Sequence, residues 1–191
     1  MLRSQGDTAG ALTAYQAGLA IAERLSERDP GNTQWQRDLS ISHNKIGDVL
    51  GSQGDTAGAL TAYQAGLAIR ERLSEQDPGN TDWQRDLSVS HDRIGDVLLA
   101  QGDTAGALTA YQAGLAIAER LSEQDPGNTQ WQRDLAVSYW KIGEMMEAEE
   151  SEEANAWWRR AHDKLAELKA EGRLAPTDEQ YLAWLRQKIG R

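Results

Sequence analysis

The chain repeats itself every 48 residues: QGDTAGALTAYQAGLAI stands at 5–21, 53–69 and 101–117 without a change. Units 5–52 and 53–100 agree at 40 of 48 positions, and units 53–100 and 101–148 at 38. A period of this size predicts an α-solenoid or a related stack, in which each unit is one supersecondary element that buries its apolar face only against neighbours. Each unit should therefore carry its own helical pattern.

The middle unit does. Gly54-Asp55 reads as a turn with Asp55 as N-cap, and a helix is predicted from Thr56 to about Asp77. Ala59, Tyr63, Gly66 and Leu73 share one side at helical spacing, broadened by Leu60 and Leu67. Asp77-Pro78-Gly79-Asn80 ends it, because the residue before proline is pushed out of the helical region. Thr81 with Gln84 matches a capping box, as do Thr33 with Gln36 and Thr129 with Gln132. A second helix is predicted from about Asp82 to Ala100, with Trp83, Leu87, His91, Ile94 and Leu98 as its stripe. Gly66 and Gly95, inside helices at about 1 kcal/mol each relative to Ala, point to close backbone approach between helices.

Two of these spacings together resemble the tetratricopeptide repeat. Ile94-Gly95, Leu98, Gly102, Ala107, Tyr111 and Gly114 follow that family's pattern, and Ile46-Gly47, Leu50, Gly54, Ala59, Tyr63 and Gly66 repeat it one unit earlier. Gly66 and Gly114 stand where the family usually has Ala, and the late Pro makes the unit resemble the long-repeat bacterial and kinesin-light-chain-like arrays. The resemblance implies an all-α, right-handed solenoid of stacked antiparallel helix pairs. It also implies that the first helix of each pair, called A-type here, lines a concave face, with B-type helices behind it.

The expected organisation is one domain over 1–191: units 5–52, 53–100 and 101–148, then a divergent unit and capping helix over 149–191. Leu2, Ser4 and Gln5 match Leu50, Ser52 and Gln53, so the first A-type helix is expected to be missing: either the chain is a fragment of a longer array, or a B-type helix with Leu12, Tyr15 and Leu19 is left as a patch for a homo-oligomer. At the other end Ala154, Trp158 and Ala161 keep the repeat spacing, and Thr177-Asp178-Glu179-Gln180 opens a terminal helix with Tyr181, Leu182 and Leu185. Eight helices are expected.

Little in the sequence points to catalysis. Cysteine is absent from all 191 residues, which removes disulfides, thiolate nucleophiles and Cys-based metal sites. No HExxH, Gly-rich phosphate loop or GxSxG elbow occurs. His43 and His91 occupy one repeat position, held by Tyr139 in the third copy, and read as half-buried structural residues. Glu147, Glu149, Glu150, Glu152 and Glu153 lack the alternation of a calcium loop and read as a solvated helix junction. Trp157-Trp158-Arg159-Arg160 combines aromatic and basic residues, but Trp158 has a packing role and the net charge of −10 opposes phosphate backbones. No apolar run approaches a membrane span, and MLRSQGD has no signal-peptide character. The reading is a cytoplasmic, noncatalytic chain with no cofactor, metal, nucleic-acid or membrane partner.

Carried over residue by residue, the family's ligand positions fall on Ile41, Asn44, Asp48, Gly51 and Ser52; on Val89, Asp92, Asp96, Leu99 and Ala100; and on Val137, Trp140, Glu144, Glu147 and Ala148. Periodicity supports this, since Asp92 and Asp96 are one turn apart, as are Trp140 and Glu144, on a face away from Leu87 and Ile94. Asp48, Asp92, Asp96 and Glu144 are expected to form an acidic strip that receives a basic or mixed protein segment, with Val89, Val137 and Trp140 beside it. Self-assembly through the solenoid ends is the other reading.

Overall fold

The computed structural model describes residues 8–149 and 152–190. Among these the chain is helical and without strands: α1 (Thr8–Arg28), α2 (Thr33–Ser52), α3 (Thr56–Gln76), α4 (Thr81–Ala100), α5 (Thr104–Gln124), α6 (Thr129–Ala148), α7 (Ala154–Ala170), a 3-10 turn (Pro176–Asp178) and α8 (Glu179–Ile189). Leu2, Ser4, Gln5 and Glu150 lie outside the described residues. No described helix is long and apolar enough to cross a membrane. Contacts divide the chain into two compact units, Met1–Asp103 and Thr104–Arg191.

The helix boundaries follow the repeat. Asp55 caps α3, accepting from the Gly58 amide at 2.8 Å, and Gly54 reaches φ +81° in the turn before it, a conformation that favours glycine. The A-type helices begin differently from the expected capping boxes. Asn32, Asn80 and Asn128 are the N-caps, each accepting from the amide three residues on. The threonines become the first helical residues, and the glutamines turn elsewhere: Gln84 donates to Ser74 Oγ (2.7 Å) and Gln132 to the Ser122 carbonyl (2.9 Å), both buried. Nor does Thr177 cap α8, whose N-cap is Asp178 without a side-chain cap bond.

In the first unit α2 and α3 run antiparallel, since Ser40 meets Arg70, Asn44 lies against Gly66 and Gly47 lies against Tyr63. A Cβ on Gly47 would sit 2.6 Å from the Tyr63 ring, and one on Gly66 would sit 2.6 Å from the Asn44 amide and 3.1 Å from the Ser40 carbonyl oxygen. The helix-interior glycines thus permit the expected close approach. Helices α2 and α4 run parallel: Arg37 pairs with Asp86, and Asp48 with Arg93. Val49, Ala59, Tyr63, Ile69, Leu73 and Ile94 are among the buried apolar residues.

The second unit repeats this arrangement with a larger aromatic core. Gly143 of α6 meets Trp158 of α7, where a Cβ would lie 2.5 Å from the indole. Ala154, Trp158, Ala161, Leu165, Leu168, Leu182 and Leu185 are buried together, with Tyr139, Trp140, Tyr181 and Trp184 packed at the edge. Arg133 of α6 holds Asp178 through two hydrogen bonds of 2.6 and 3.0 Å, seating the start of α8 on α6.

Candidate functional site

Within each unit, cations on the A-type helices form a seam over rings of the preceding B-type helix, which the sequence reading did not find. Lys45 lies over the Tyr15 ring, Arg93 over Tyr63 and Lys141 over Tyr111, each 5.7–5.8 Å from the centroid, and Lys188 lies 4.8 Å from that of Trp158. Each cation stands 30 residues after its ring, so a signal was present in the numbering. Such contacts are worth about 0.5–2 kcal/mol each, depending on exposure.

In the first unit this seam neutralises an expected groove acid. Asp48 accepts from the Tyr63 hydroxyl at 2.8 Å and forms a salt bridge with Arg93. Its neighbours in the expected strip lie at different depths: Asp92 is buried, Asp96 is exposed, and Val89 and Leu99 are half-buried. Asn44 is buried and faces Arg70 rather than a groove; with the amide oriented so that its oxygen meets the guanidinium, it accepts from the two terminal nitrogens at 2.9 and 3.2 Å.

Arg70 replaces Ala22 and Ala118 of the other copies. It is 5% exposed and donates to Ser40 Oγ (3.1 Å), Ser90 Oγ (2.6 Å) and the Asp86 carbonyl (2.8 Å). Burial lowers its pKa, opposed by the Asp86 charge. This cation therefore ties α2, α3 and α4 together from inside. Burial likewise lowers the pKa of His43 and His91, against the opposing charges of Glu23 and Glu71.

The second unit brings together the other part of the expected site. Val137 and Trp140 line a cavity of about 250 Å³ between α6 and α8, with Arg133, Ala136, Leu165, Asp178, Tyr181 and Leu185. Trp140 packs against Tyr181 and Trp184 at ring-centroid distances of 4.9 and 5.5 Å, and its buried Nε1 has no hydrogen-bond partner. The cavity is mainly apolar, with one ion pair in its wall. Asp178 is 2% exposed, and its hydrogen bond raises the pKa of Arg133. Glu144 is exposed one turn beyond Trp140, and Glu147 is held by Lys188 of α8 at 2.5 and 2.7 Å.

The remaining transferred positions are less distinctive. Ile41 is half-buried; Gly51, Ser52 and Ala100 are exposed; the Ala148 side chain lies outside those described. Trp157 and Arg160 stack on each other at 4.5 Å and pack with Tyr139 of α6, which accounts for that basic-aromatic cluster by packing.

Comparison with known proteins places this geometry. The family profile described as "Tetratricopeptide repeat" matches residues 42–78, which covers the end of α2, all of α3 and the turns around it. Among solved structures, BtubC (BKLC) from P. vanneervenii is similar with a TM-score of 0.51 and 16% identity, over 96% of this chain and 82% of that one. MamA has a TM-score of 0.46 and 19% identity, over 89% of this chain and 95% of that one. No curated protein matches.

Proposed function

We propose that the chain, which matches the tetratricopeptide-repeat profile over residues 42–78 and so resembles a family that generally serves as protein-interaction scaffolds, is a noncatalytic binding module. The observation that carries the finer reading is the α6/α8 cavity. At about 250 Å³ it is smaller than the roughly 300–1,000 Å³ typical of small-molecule sites, and its lining is aliphatic and aromatic. It suits one apolar side chain presented by a protein segment.

The partner segment is basic around that anchor. A net charge of −10 raises its encounter rate, and exposed Glu144, one turn from Trp140, orients it. Burial of the anchor supplies most of the affinity, because an exposed carboxylate pair contributes only about 0–1 kcal/mol. Asp48 plays no direct part, being committed to Arg93 and Tyr63.

Selection of random peptides on the immobilised chain tests this reading. The expected consensus is one large apolar residue flanked by Lys or Arg. Val137→Phe, which fills the cavity from its wall, should weaken the selected peptides about tenfold or more while leaving the melting temperature nearly unchanged. Glu144→Lys should mainly reduce the salt dependence of binding. Peptides without an apolar anchor, or indifference to Val137→Phe, would refute the assignment.

A further inference from the structure

Two faces of this chain are halves of an interface that it forms elsewhere with itself. On α3, the face containing Tyr63, Gly66 and Ile69 is covered by α2, through Gly47 on the Tyr63 ring and Asn44 and Ser40 on Gly66. Residues 8–21 of α1 are identical to 56–69 of α3, yet the same face of α1 is open. Ile21 is 52% exposed against 6% for Ile69, and a Cβ on Gly18 would meet nothing within 4 Å. A cavity of about 220 Å³ adjoins it, lined in part by Gly18, Ile21 and Leu25. The open patch centres on Gly18 and Ile21 rather than on Leu12 and Leu19, which are half-buried.

The complementary half is on α8. Lys188-Ile189-Gly190 repeats the Lys45-Ile46-Gly47 of α2 and the Lys141-Ile142-Gly143 of α6. The match is also structural, because Lys188 covers the Trp158 ring as Lys141 covers Tyr111. Counting back from Gly190, Gln187 and Ala183 stand where α2 has Asn44 and Ser40, and all three are exposed. Gly47 and Gly143 each press on an aromatic ring of the next helix, whereas a Cβ on Gly190 would meet only the Arg186 carbonyl oxygen, at 3.3 Å. Helix α8 is thus an A-type helix with its B-facing side open, and α1 a B-type helix with its A-facing side open.

We propose that the chain assembles head to tail, α8 of one copy seating on α1 of the next to complete a helix pair. Gly190 then receives Tyr15, and Ala183 and Gln187 close over Gly18, in the pattern by which α2 meets α3. Burial of Ile21 and exclusion of water from the adjoining cavity drive the contact. The two surfaces differ, so the interface is heterologous, and growth continues past the dimer unless a ring closes.

Sedimentation velocity on this chain over a concentration series tests the pairing. The weight-average mass should rise with concentration above the 21.1 kDa of one chain. Ile21→Glu and Gly190→Leu each should weaken association about tenfold or more, both leaving helicity intact because both positions are exposed. Each variant keeps the end that the other lacks, so mixing them should restore a species of two chains that grows no further. A strictly monomeric chain up to millimolar concentration overturns the proposal. If that monomer then binds a peptide of residues 33–52, the occupant of the α1 face is another A-type helix rather than a second copy. Association lost with Ile21→Glu but unchanged with Gly190→Leu also overturns it, in favour of a symmetric α1–α1 contact.

Discussion

Gly18→Ala and Gly66→Ala are the same substitution in the same local sequence, and they should change stability with opposite sign. Residues 8–21 and 56–69 are identical, so the gain in helix propensity is about 0.8–1.0 kcal/mol at each site and cancels in the comparison. At Gly18 a Cβ meets nothing within 4 Å, and the whole gain should appear as added stability. At Gly66 the methyl would lie 2.6 Å from the Asn44 amide and 3.1 Å from the Ser40 carbonyl oxygen. The carbonyl belongs to the α2 backbone and yields only if the helix shifts. The amide yields only by releasing Arg70, whose guanidinium is buried. Overpacking of this kind costs about 1–3 kcal/mol, and an orphaned buried donor about 1–3 kcal/mol more. Net destabilisation at Gly66 is therefore about 1–5 kcal/mol, against stabilisation of about 1 kcal/mol at Gly18.

Urea unfolding by circular dichroism measures both, at a concentration low enough to keep copies apart. Both sites lie in the first unit, so one transition reports both. An Arg70→Ala background should shrink the Gly66→Ala penalty, because Asn44 then has no cation to hold. The same sign at both positions, or values within about 0.5 kcal/mol of each other, would refute the argument that neighbours rather than propensity set the outcome.

Arg70→Ala alone should lower the stability of the first unit by about 2–4 kcal/mol in the same assay, since it deletes a packed side chain and leaves the hydroxyls of Ser40 and Ser90 without their donor. His43 and His91 have folded pKa values below the ordinary 6.5, so on acidification the unfolded chain takes up protons first. Their contribution is therefore present above about pH 6.5 and lost as pH falls through the depressed folded values; the double variant His43→Tyr, His91→Tyr should flatten melting temperature across that window. Trp140→Ala should destabilise the second unit by about 2–4 kcal/mol in the absence of any partner, read as an earlier loss of tryptophan fluorescence, because Tyr181 and Trp184 lose the ring they pack on. Asp178→Ala should cost about 1–3 kcal/mol by removing both hydrogen bonds to Arg133, whose partly exposed guanidinium water can then solvate, and α8 should show faster amide exchange than α7.

The elements were legible because each fact that sets a helix is local: spacing of apolar residues, Asp55 before a helix, Pro78 after one. The caps show where locality becomes ambiguous. Asn80 and Thr81 are adjacent and either side chain can cap; what decides is Gln84, which turns across the loop to Ser74 instead of back to the helix start. The partner, ten residues away, belongs to the preceding helix. The groove was less legible for a related reason. Periodicity correctly puts Asn44, Asp92 and Trp140 at one repeat position, but Asn44 holds Arg70 and Trp140 packs on α8. A shared position on the helix does not give a shared neighbour.

Near-identity between repeats makes that distinction measurable inside one molecule. Ile21 and Ile69 each close an identical stretch, 5–21 and 53–69, and are followed by Ala22 and Arg70; one is 52% exposed and the other 6%. The difference follows whether an A-type helix lies across the face: α2 covers that face of α3, and the matching face of α1 is open. It follows that substitutions selected to keep the repeats alike cannot tune one interface without altering the others, and that adaptation of a single interface requires a residue unique to its copy. Arg70 and Trp140 are such residues: the first fills the α2/α3/α4 junction where other copies carry alanine, and the second meets the C-terminal helix where other copies carry Asn44 and Asp92. Those two positions are therefore where this chain is fitted to particular neighbours, and the residues that α1 and α3 share define the face that any further A-type helix would have to match.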